Sequence, residues 1–269
     1  MNVRVQLLSV ALAAAFAVLP ARAQDGAPEP SARDLALKSA RYLAGRPALS
    51  FRWFVTYDQS ADNGRKITSI RSGETLFSRK DGFFVKAERE GARRDYFYDG
   101  ATFAVAAPDE KFYVSVPFGG GYDALVEAIR DKTGTVLPLW SILSEKLPDR
   151  LLEGVKDAAY HGTTLITGRE VHHLSFRGAD EDWQVWISTD EARPVPLMIV
   201  GVERAKRGAP VYRAYLSEWN DAPAVDPARF RFSPPADFMR LAVAGGGQST
   251  KPATAAPAGA PSPEPKPAQ

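Results

Sequence analysis

The hydrophobic pattern of this chain changes once, over residues 118–156, and that change constrains the fold more than any other feature. On both sides of this stretch, alternating apolar and polar residues predict short β-strands. Within the stretch, glycines at 119–121 interrupt the strand pattern and a helical spacing follows. The apolar positions of this predicted helix are Tyr122, Leu125, Val126 and Ile129.

A second short helix is predicted from Pro138, because the first turn of a helix does not need the N–H that proline lacks. Its apolar residues fall on more than one side, at Leu139, Trp140, Ile142, Leu143 and Leu147. Two helices with this much apolar surface must cover another apolar surface. We expect the partner to be the open face of the flanking sheet, so residues 118–156 predict a helical lid over a concavity.

About eleven strands are predicted around this insert. They cover residues 50–57, 66–78, 83–89, 94–98, 102–106 and 112–116 before it, and 158–166, 170–176, 182–188, 196–202 and 210–219 after it. Gly73, inside the second strand, predicts a bulge or bend. Ser31 as N-cap and Gly45 as stop signal predict one N-terminal helix. A sheet of this size curls, so the expected fold class is α+β, an incomplete antiparallel β-barrel with an N-terminal helix and a helical lid insert.

Residues 1–23 have the pattern of a signal peptide. Arg4 supplies the positive charge, residues 7–19 form an apolar run that is short for a bilayer span, and residues 21–23 form an A-x-A cleavage site. No other run in the sequence is long and apolar enough to cross a membrane. We therefore expect the mature chain to begin at Gln24 and to be exported to the periplasm.

Composition excludes several classes of protein. The sequence has no cysteine, which excludes a disulfide framework, a metal site with cysteine ligands and the lipid anchor of a bacterial lipoprotein. Its 34 basic and 32 acidic residues nearly balance, which argues against a nucleic-acid partner. Residues 244–269 contain no large apolar side chain, so they predict a disordered Pro/Ala-rich tail after a single domain at 24–243. The alternative is a Pro-rich spacer that docks on another protein or on the cell wall.

Four short motifs carry a family resemblance. They are RDYFYDG at 94–100, YHG at 160–162, VHHLSFR at 171–177 and DWQVWI at 182–187. Over about residues 31–240 the chain resembles a family of predicted periplasmic proteins in the LolA/LolB-like superfamily. The resemblance implies a half-barrel of antiparallel strands with helices as a lid. It also implies a relationship to proteins that hold the acyl chains of lipoproteins, or that sense such chains for an envelope stress pathway.

The candidate binding residues come from the more apolar face of the first strand and from the lid. They are Phe51, Trp53, Val55, Tyr57, Leu125, Ile129 and Trp140. Pockets favour apolar walls with a few polar groups, and a large curled sheet can enclose one. The alternative for each residue is an ordinary place in the hydrophobic core.

No residue pattern points to catalysis, a cofactor or a metal. The sequence has no G-x-S-x-G motif and no cysteine nucleophile. By strand parity we expect His161 and His172 to share a face and His173 to point the other way, which leaves too few ligands for zinc. The glycines at 119–121 could form an anion nest, but a hinge between sheet and lid is favoured, because no Lys-Ser/Thr pair follows them.

We therefore expect a non-enzymatic periplasmic binding protein or carrier for a hydrophobic ligand: an acyl chain, a lipid or a lipid-modified peptide of a lipoprotein. One alternative is an envelope sensor that recognises a protein partner through the same concave face. An enzyme is the third possibility and requires titratable groups clustered in the cavity. Basic residues near the hairpin ends are explained by solvated turns or by a rim for anionic lipid headgroups: Arg89, Arg93, Arg94, Arg204, Lys206 and Arg207.

Overall fold

A sheet of 12 strands, partly covered by short helices, dominates the described part of the chain. The structure is a computed structural model, and it describes residues 29–61, 63–133 and 138–242. In chain order the elements are α1 (Ala32–Ala44), β1 (Ala48–Ser60), β2 (Lys66–Ser78), β3 (Gly82–Arg89), β4 (Ala92–Tyr98), β5 (Thr102–Ala107), β6 (Phe112–Pro117), α2 (Gly121–Thr133), α3 (Pro138–Ser141), α4 (Leu147–Arg150), β7 (Asp157–Ile166), β8 (Arg169–Arg177), β9 (Glu181–Ser188), β10 (Pro196–Glu203), β11 (Val211–Asn220) and β12 (Met239–Arg240). The predicted signal peptide and the predicted tail from residue 244 lie outside the described residues.

The sheet consists of two antiparallel meanders that meet at β1 and β11. Its strand order is β12-β6-β5-β4-β3-β2-β1-β11-β10-β9-β8-β7. Strands β1 to β6 form the first meander and β7 to β11 the second, with β1 paired to β11 over most of its length. The eleven predicted strands are all present. The short strand β12 was not predicted, because two residues are too few to show a periodicity.

The order of the strands explains why the insert becomes a lid. Strand β6 lies near one edge of the sheet and β7 forms the other edge. The chain between them must therefore cross the whole sheet, and it does so as α2, α3 and α4. The ring of Tyr122 on α2 meets Phe77 of β2 at 5.0 Å and Phe83 of β3 at 5.7 Å, both edge-on. The predicted fold, an open antiparallel barrel with a helical cover, is confirmed.

Helix α1 covers the other half of the concave face. The Ser31 side chain accepts a hydrogen bond from the Asp34 N–H, and Gly45 is the C-cap, as the sequence predicts. Ala32 and Ala36 are buried against Leu174 of β8 and neighbouring apolar residues of β8 and β9. Small residues on this side of α1 let the helix approach the sheet closely.

The second predicted lid helix is divided in the structure. One turn forms α3 and another forms α4, with a turn region of five residues between them. Leu143 and Ser144 donate to the carbonyls of Trp140 and Ser141, which are the short bonds of a tight turn. Pro148 explains the break, because it has no N–H to donate to the carbonyl of Ser144 in a continuous helix.

Gly73 has a different role from the one that its position in a strand predicts. The pairing of β2 with both β1 and β3 is regular through Gly73, so the expected bulge is absent there. A Cβ at this position would lie 2.2 Å from the carbonyl oxygen of Lys86 and 2.5 Å from the Trp53 ring. Glycine is required here because the Trp53 indole lies directly over the β2 backbone.

Candidate ligand-binding site

A chamber of about 660 Å³ lies between the concave face of the sheet and the helices. Its floor comes from β1, β2, β3, β9, β10 and β11, and its cover from α1 and the stretch from α2 to α4. Protein sites for small organic ligands typically have volumes of about 300–1,000 Å³. The chamber therefore has the size of a ligand site.

The end of the chamber beneath the lid is apolar. The indole of Trp140 meets the ring of Phe83 edge-on at 5.1 Å, and the Tyr122 hydroxyl donates to the Trp140 carbonyl at 2.6 Å. Leu139 and Leu143 lie beside them in the wall. This hydrogen bond satisfies the buried phenol, and burial raises its pKa well above the usual value for tyrosine. An aliphatic group placed here would exchange water for apolar contacts.

Arg79 ties the lid to α1 at this apolar end. Its guanidinium donates to the backbone carbonyls of Leu43 at 2.9 Å, Arg46 at 2.8 Å and Leu143 at 3.1 Å. Burial lowers the pKa of Arg79, while the charge of Glu145, whose carboxylate is 3.7 Å away, raises it. One side chain thus holds the C-terminal end of α1 and the turn after α3 in fixed positions.

The middle of the chamber is built on Trp53. The indole N–H donates to the Thr75 hydroxyl at 3.2 Å, and Gly73 leaves room for the ring. Val55 follows on the same face of β1 and is buried. A flat aromatic surface in this place divides the apolar end from the polar end.

The far end of the chamber is polar. The Tyr57 hydroxyl donates to one carboxylate oxygen of Glu203 at 3.0 Å, and Lys206 forms an ion pair with the other. Burial raises the pKa of Tyr57, and its bond to Glu203 raises it further. The separate contact between Lys206 and Glu203 raises the pKa of Lys206. Lys206 and Glu203 therefore neutralise each other, and the Tyr57 hydroxyl gives Glu203 a second partner.

Glu181 adds a carboxylate that turns into the chamber. Its Oε1 lies 2.8 Å from the point that a Cβ on Gly201 would occupy, so the side chain folds over that glycine. Burial raises the pKa of Glu181, and the negative charge of Glu203 raises it further. The residue as a whole is exposed, and the carboxylate is its sheltered part. Gly201 therefore leaves room for the Glu181 side chain, in the same way that Gly73 leaves room for the Trp53 indole.

The predicted binding residues separate into two groups. Trp53, Val55, Tyr57 and Trp140 line the chamber. The structure places Phe51, Leu125 and Ile129 in or against the core instead. Phe51 stacks on Trp219 with ring centres 4.4 Å apart, and Leu125 is 2% exposed because α2 packs on the sheet at that point.

Sequence reasoning missed the wall that β9, β10 and β11 supply. This wall contains Glu181, Trp183, Ile199, Glu203 and Tyr212. Alternation along each strand could have placed members of one strand on one face. It could not have placed them beside β1, because the pairing of β1 with β11 joins residues about 160 positions apart.

The histidines are arranged differently from the prediction. The ring of His161 lies 4.6 Å from that of His173, and His172 contacts Tyr160, whose hydroxyl is 3.2 Å from its Nδ1. The expectation that His161 shares a face with His172 is wrong, because the register of β7 shifts between residues 160 and 163. Gly162, at φ +85°, supplies the extra residue of this bulge.

None of the three histidines lines the chamber. His173 stacks on Trp186 at 4.2 Å on the opposite face of the sheet.

Within residues 29–61, 63–133 and 138–242, no group of three or more His, Asp or Glu side chains is placed to hold a metal ion. Among the helices in this part of the chain, none has both the length and the apolar character that a membrane span requires.

One protein family and several solved structures are similar to this chain. Residues 32–244, which include every helix and strand above, match the family described as "Predicted periplasmic protein (DUF2092)". No curated protein matches the sequence. The structure of LprF from Mycobacterium bovis is similar at 14% identity and a TM-score of 0.46, over 75% of this chain and 99% of that one.

Two further structures show the same kind of similarity. The lipoprotein LppX of Mycobacterium tuberculosis is 14% identical with a TM-score of 0.41, over 72% of this chain and 98% of that one. A LolA superfamily protein from Nitrosomonas europaea is 11% identical with a TM-score of 0.35, over 76% of this chain and 99% of that one. At such identities, function has to be inferred from the chamber itself.

Proposed function

The chain belongs to the DUF2092 family of predicted periplasmic proteins, as its motifs predicted, and we propose that it is a non-enzymatic binding protein or carrier for a hydrophobic ligand. The ligand is an amphiphile with a long apolar part, such as an acyl chain, a lipid or the lipid-modified end of a lipoprotein. The observation that carries the proposal is the chamber of about 660 Å³, apolar beneath the lid and polar at its far end.

The division of the chamber supports an amphiphile over a wholly apolar ligand. Trp140 and Leu143 form the apolar end, and Tyr57, Glu181 and Glu203 form the polar end. Burial of apolar surface contributes roughly 25 cal/mol per Å² before the costs of association. Polar groups at one end then fix the direction in which the ligand lies.

The position of the helices favours a small ligand over a protein segment. The segments α1 and α2 to α4 already cover the concave face, and Arg79 joins them. A protein strand that used this face would have to displace the lid. Glycines 119–121, before α2, are the hinge that we propose for ligand entry and release.

The cellular location that we propose follows from the N-terminal signal pattern and from the absence of cysteine in the sequence. We propose export by a signal peptide at 1–23, no lipid anchor, a binding domain at 24–243 and a tail at 244–269 that the domain does not need for folding. The family description supports the periplasm.

A neutral apolar fluorophore, N-phenyl-1-naphthylamine, tests the proposal. It should bind the wild-type protein and change the emission of Trp53 and Trp140, which line the chamber. Ile199→Trp places a bulky ring in the chamber wall and should weaken binding at least about tenfold. Ile70→Trp, on the opposite face where Ile70 is 47% exposed, is the matched control and should leave binding unchanged.

The unfolding midpoint of the same variants separates a chamber from a solid core. Ile199→Trp should leave the midpoint nearly unchanged, because the new ring enters empty space. In a close-packed core the same change costs about 1–3 kcal/mol. A wild-type protein that binds no probe, with an Ile199→Trp variant that is strongly destabilised, contradicts the proposed function. If the wild-type protein binds the probe as expected, native mass spectrometry of protein taken from the periplasm would identify its natural ligand.

A further inference from the structure

Arg71 is a cation of the chamber wall that the fold leaves without a partner. It lies on β2, on the same face as Ser69 and Thr75. Within the described residues its guanidinium makes no hydrogen bond and no ion pair. Lys206, the other cation in the described wall, is held by Glu203. An arginine keeps its charge at every pH at which a protein is folded, so the chamber has a permanent positive charge with free donors.

Two tyrosine hydroxyls lie near this guanidinium. Burial raises the pKa of Tyr96 and of Tyr212, and the positive charge of Arg71 lowers both. Tyr212 lines the chamber and faces Tyr57 across the pair of β1 and β11. In the described part of the chain, neither Tyr96 nor Tyr212 has a hydrogen-bond partner for its hydroxyl. Arg71 and Tyr212 thus both offer donors inside the chamber, whereas the Tyr96 ring packs edge-on against Trp140 at 5.8 Å.

From this arrangement we propose that the ligand ends in an acidic headgroup, a carboxylate or a phosphate, which Arg71 binds at the polar end of the chamber. This inference rests on the proposed function and narrows its ligand class to anionic amphiphiles. The planar guanidinium matches the two oxygens of a carboxylate or phosphate with two parallel hydrogen bonds. Tyr212, which also lines the chamber, donates to an oxygen that remains.

The other charges of the chamber fix the headgroup on the β2 side. Glu181 and Glu203 lie on β9 and β10, separated from β2 in the sheet by β1 and β11. Lys206 already offsets the charge of Glu203, but an acid placed beside the ionised Glu181 carboxylate would be repelled. The acid therefore takes the side of Arg71, and the carboxylates set the boundary of its site.

The same orientation places the apolar chain beneath the lid. Arg71 and Phe77 are six positions apart on β2, about 20 Å along an extended strand. Between them the chamber face presents the Trp53 indole over Gly73. An aliphatic chain that starts at Arg71 passes this indole and reaches Trp140 and Leu143 at the apolar end.

Displacement of N-phenyl-1-naphthylamine by matched C16 compounds tests the headgroup. Palmitate and hexadecyl phosphate carry the acid, and hexadecanol has the same chain without it. Palmitate and hexadecyl phosphate should bind the wild-type protein at least about tenfold more tightly than hexadecanol. Arg71→Gln should remove this preference, because it weakens the binding of palmitate and hexadecyl phosphate far more than that of hexadecanol. Arg52→Gln, an exposed arginine on the opposite face that forms an ion pair with Glu218, is the control and should retain the preference.

The outcomes separate this inference from the proposed function. Equal binding of palmitate and hexadecanol, unaffected by Arg71→Gln, would disprove the acidic headgroup while the hydrophobic chamber stands. Failure of the wild-type protein to bind the probe or any C16 compound would remove the proposed function itself. Inorganic phosphate alone should not compete with hexadecyl phosphate. Competition by inorganic phosphate that depends on Arg71, without binding of any amphiphile, would show a phosphate site and overturn the proposal.

Discussion

The two ends of the chamber use an arginine in opposite ways, one on β2 and one just after it. Arg79, which follows the last residue of β2, donates to the backbone carbonyls of Leu43 in α1, Arg46 after α1 and Leu143 in the lid. Arg71 lies eight residues earlier, about 27 Å along an extended strand, and is without such bonds in the described part of the chain.

This difference shows which arginine has a purely structural role and which one is available to bind a ligand. A buried guanidinium must have its donors satisfied by the protein, since an unpaired buried charge is expensive. Arg79 meets that condition, so its role is complete in the folded chain. Arg71 is exposed to solvent and keeps its donors for another partner.

Paired substitutions give the largest expected difference between the two ends. Arg79→Met leaves the carbonyls of Leu43, Arg46 and Leu143 without their donor, and each bond to a charged group contributes about 1.5–3 kcal/mol. We expect a loss of about 3 kcal/mol in the free energy of unfolding. Arg71→Met removes no bond within the described protein and should change stability by less than about 0.5 kcal/mol. Urea denaturation measures both.

Arg79→Lys is the control for charge. Lysine keeps the positive charge but lacks the fork that reaches three carbonyls, so its stability should fall between the wild type and Arg79→Met. If Arg71→Met destabilised the protein as much as Arg79→Met, the contrast between the two ends would be wrong.

Substitution of Gly73, beneath the Trp53 indole that separates the two ends of the chamber, should have the next largest effect on stability. A Cβ at position 73 meets the Lys86 carbonyl and the Trp53 ring, so Gly73→Ala should cost about 1–3 kcal/mol and alter tryptophan emission. Gly119→Ala meets nothing within 4 Å and should leave the unfolding midpoint unchanged. Unchanged stability of Gly73→Ala would mean that the indole does not rest on β2.

Local rules were enough for the elements of the fold. Period-two alternation placed Trp53, Val55 and Tyr57 on one face, and all three line the chamber. Capping chemistry located both ends of α1 at Ser31 and Gly45. These features depend on neighbours in the sequence, which is why sequence alone could show them.

The rest of the site depends on contacts that no local rule contains. Phe51 has the same parity as Trp53, yet it stacks on Trp219, about 170 positions away, and leaves the chamber wall. Arg71 and Arg79 look alike in the sequence and differ only in what the distant α1 and lid bring to them. The bulge that reverses His161 follows from the positive φ of Gly162, a backbone property that strand parity ignores.

The smallest expected effect concerns Glu181 at the polar end. Burial and the charge of Glu203 raise its pKa in the folded protein, so the folded state holds a proton there more tightly than the unfolded chain does. The stability linked to this proton is present below the pKa of the unfolded state. It is lost as the pH rises through the higher pKa of the folded state.

Glu181→Gln should therefore match the wild type in stability at acid pH and slightly exceed it at neutral pH, where the wild type carries the ionised carboxylate. Urea denaturation at several pH values measures the difference between the two proteins, which should grow as the pH rises. Asp180→Asn, which changes the exposed neighbouring carboxylate, serves as the control and should show no such trend. A Glu181→Gln variant that is less stable than the wild type at neutral pH would mean that this carboxylate is stabilised in its ionised form. The polar end would then already hold a partner for Glu181, and its contrast with the free Arg71 would lose its electrostatic basis.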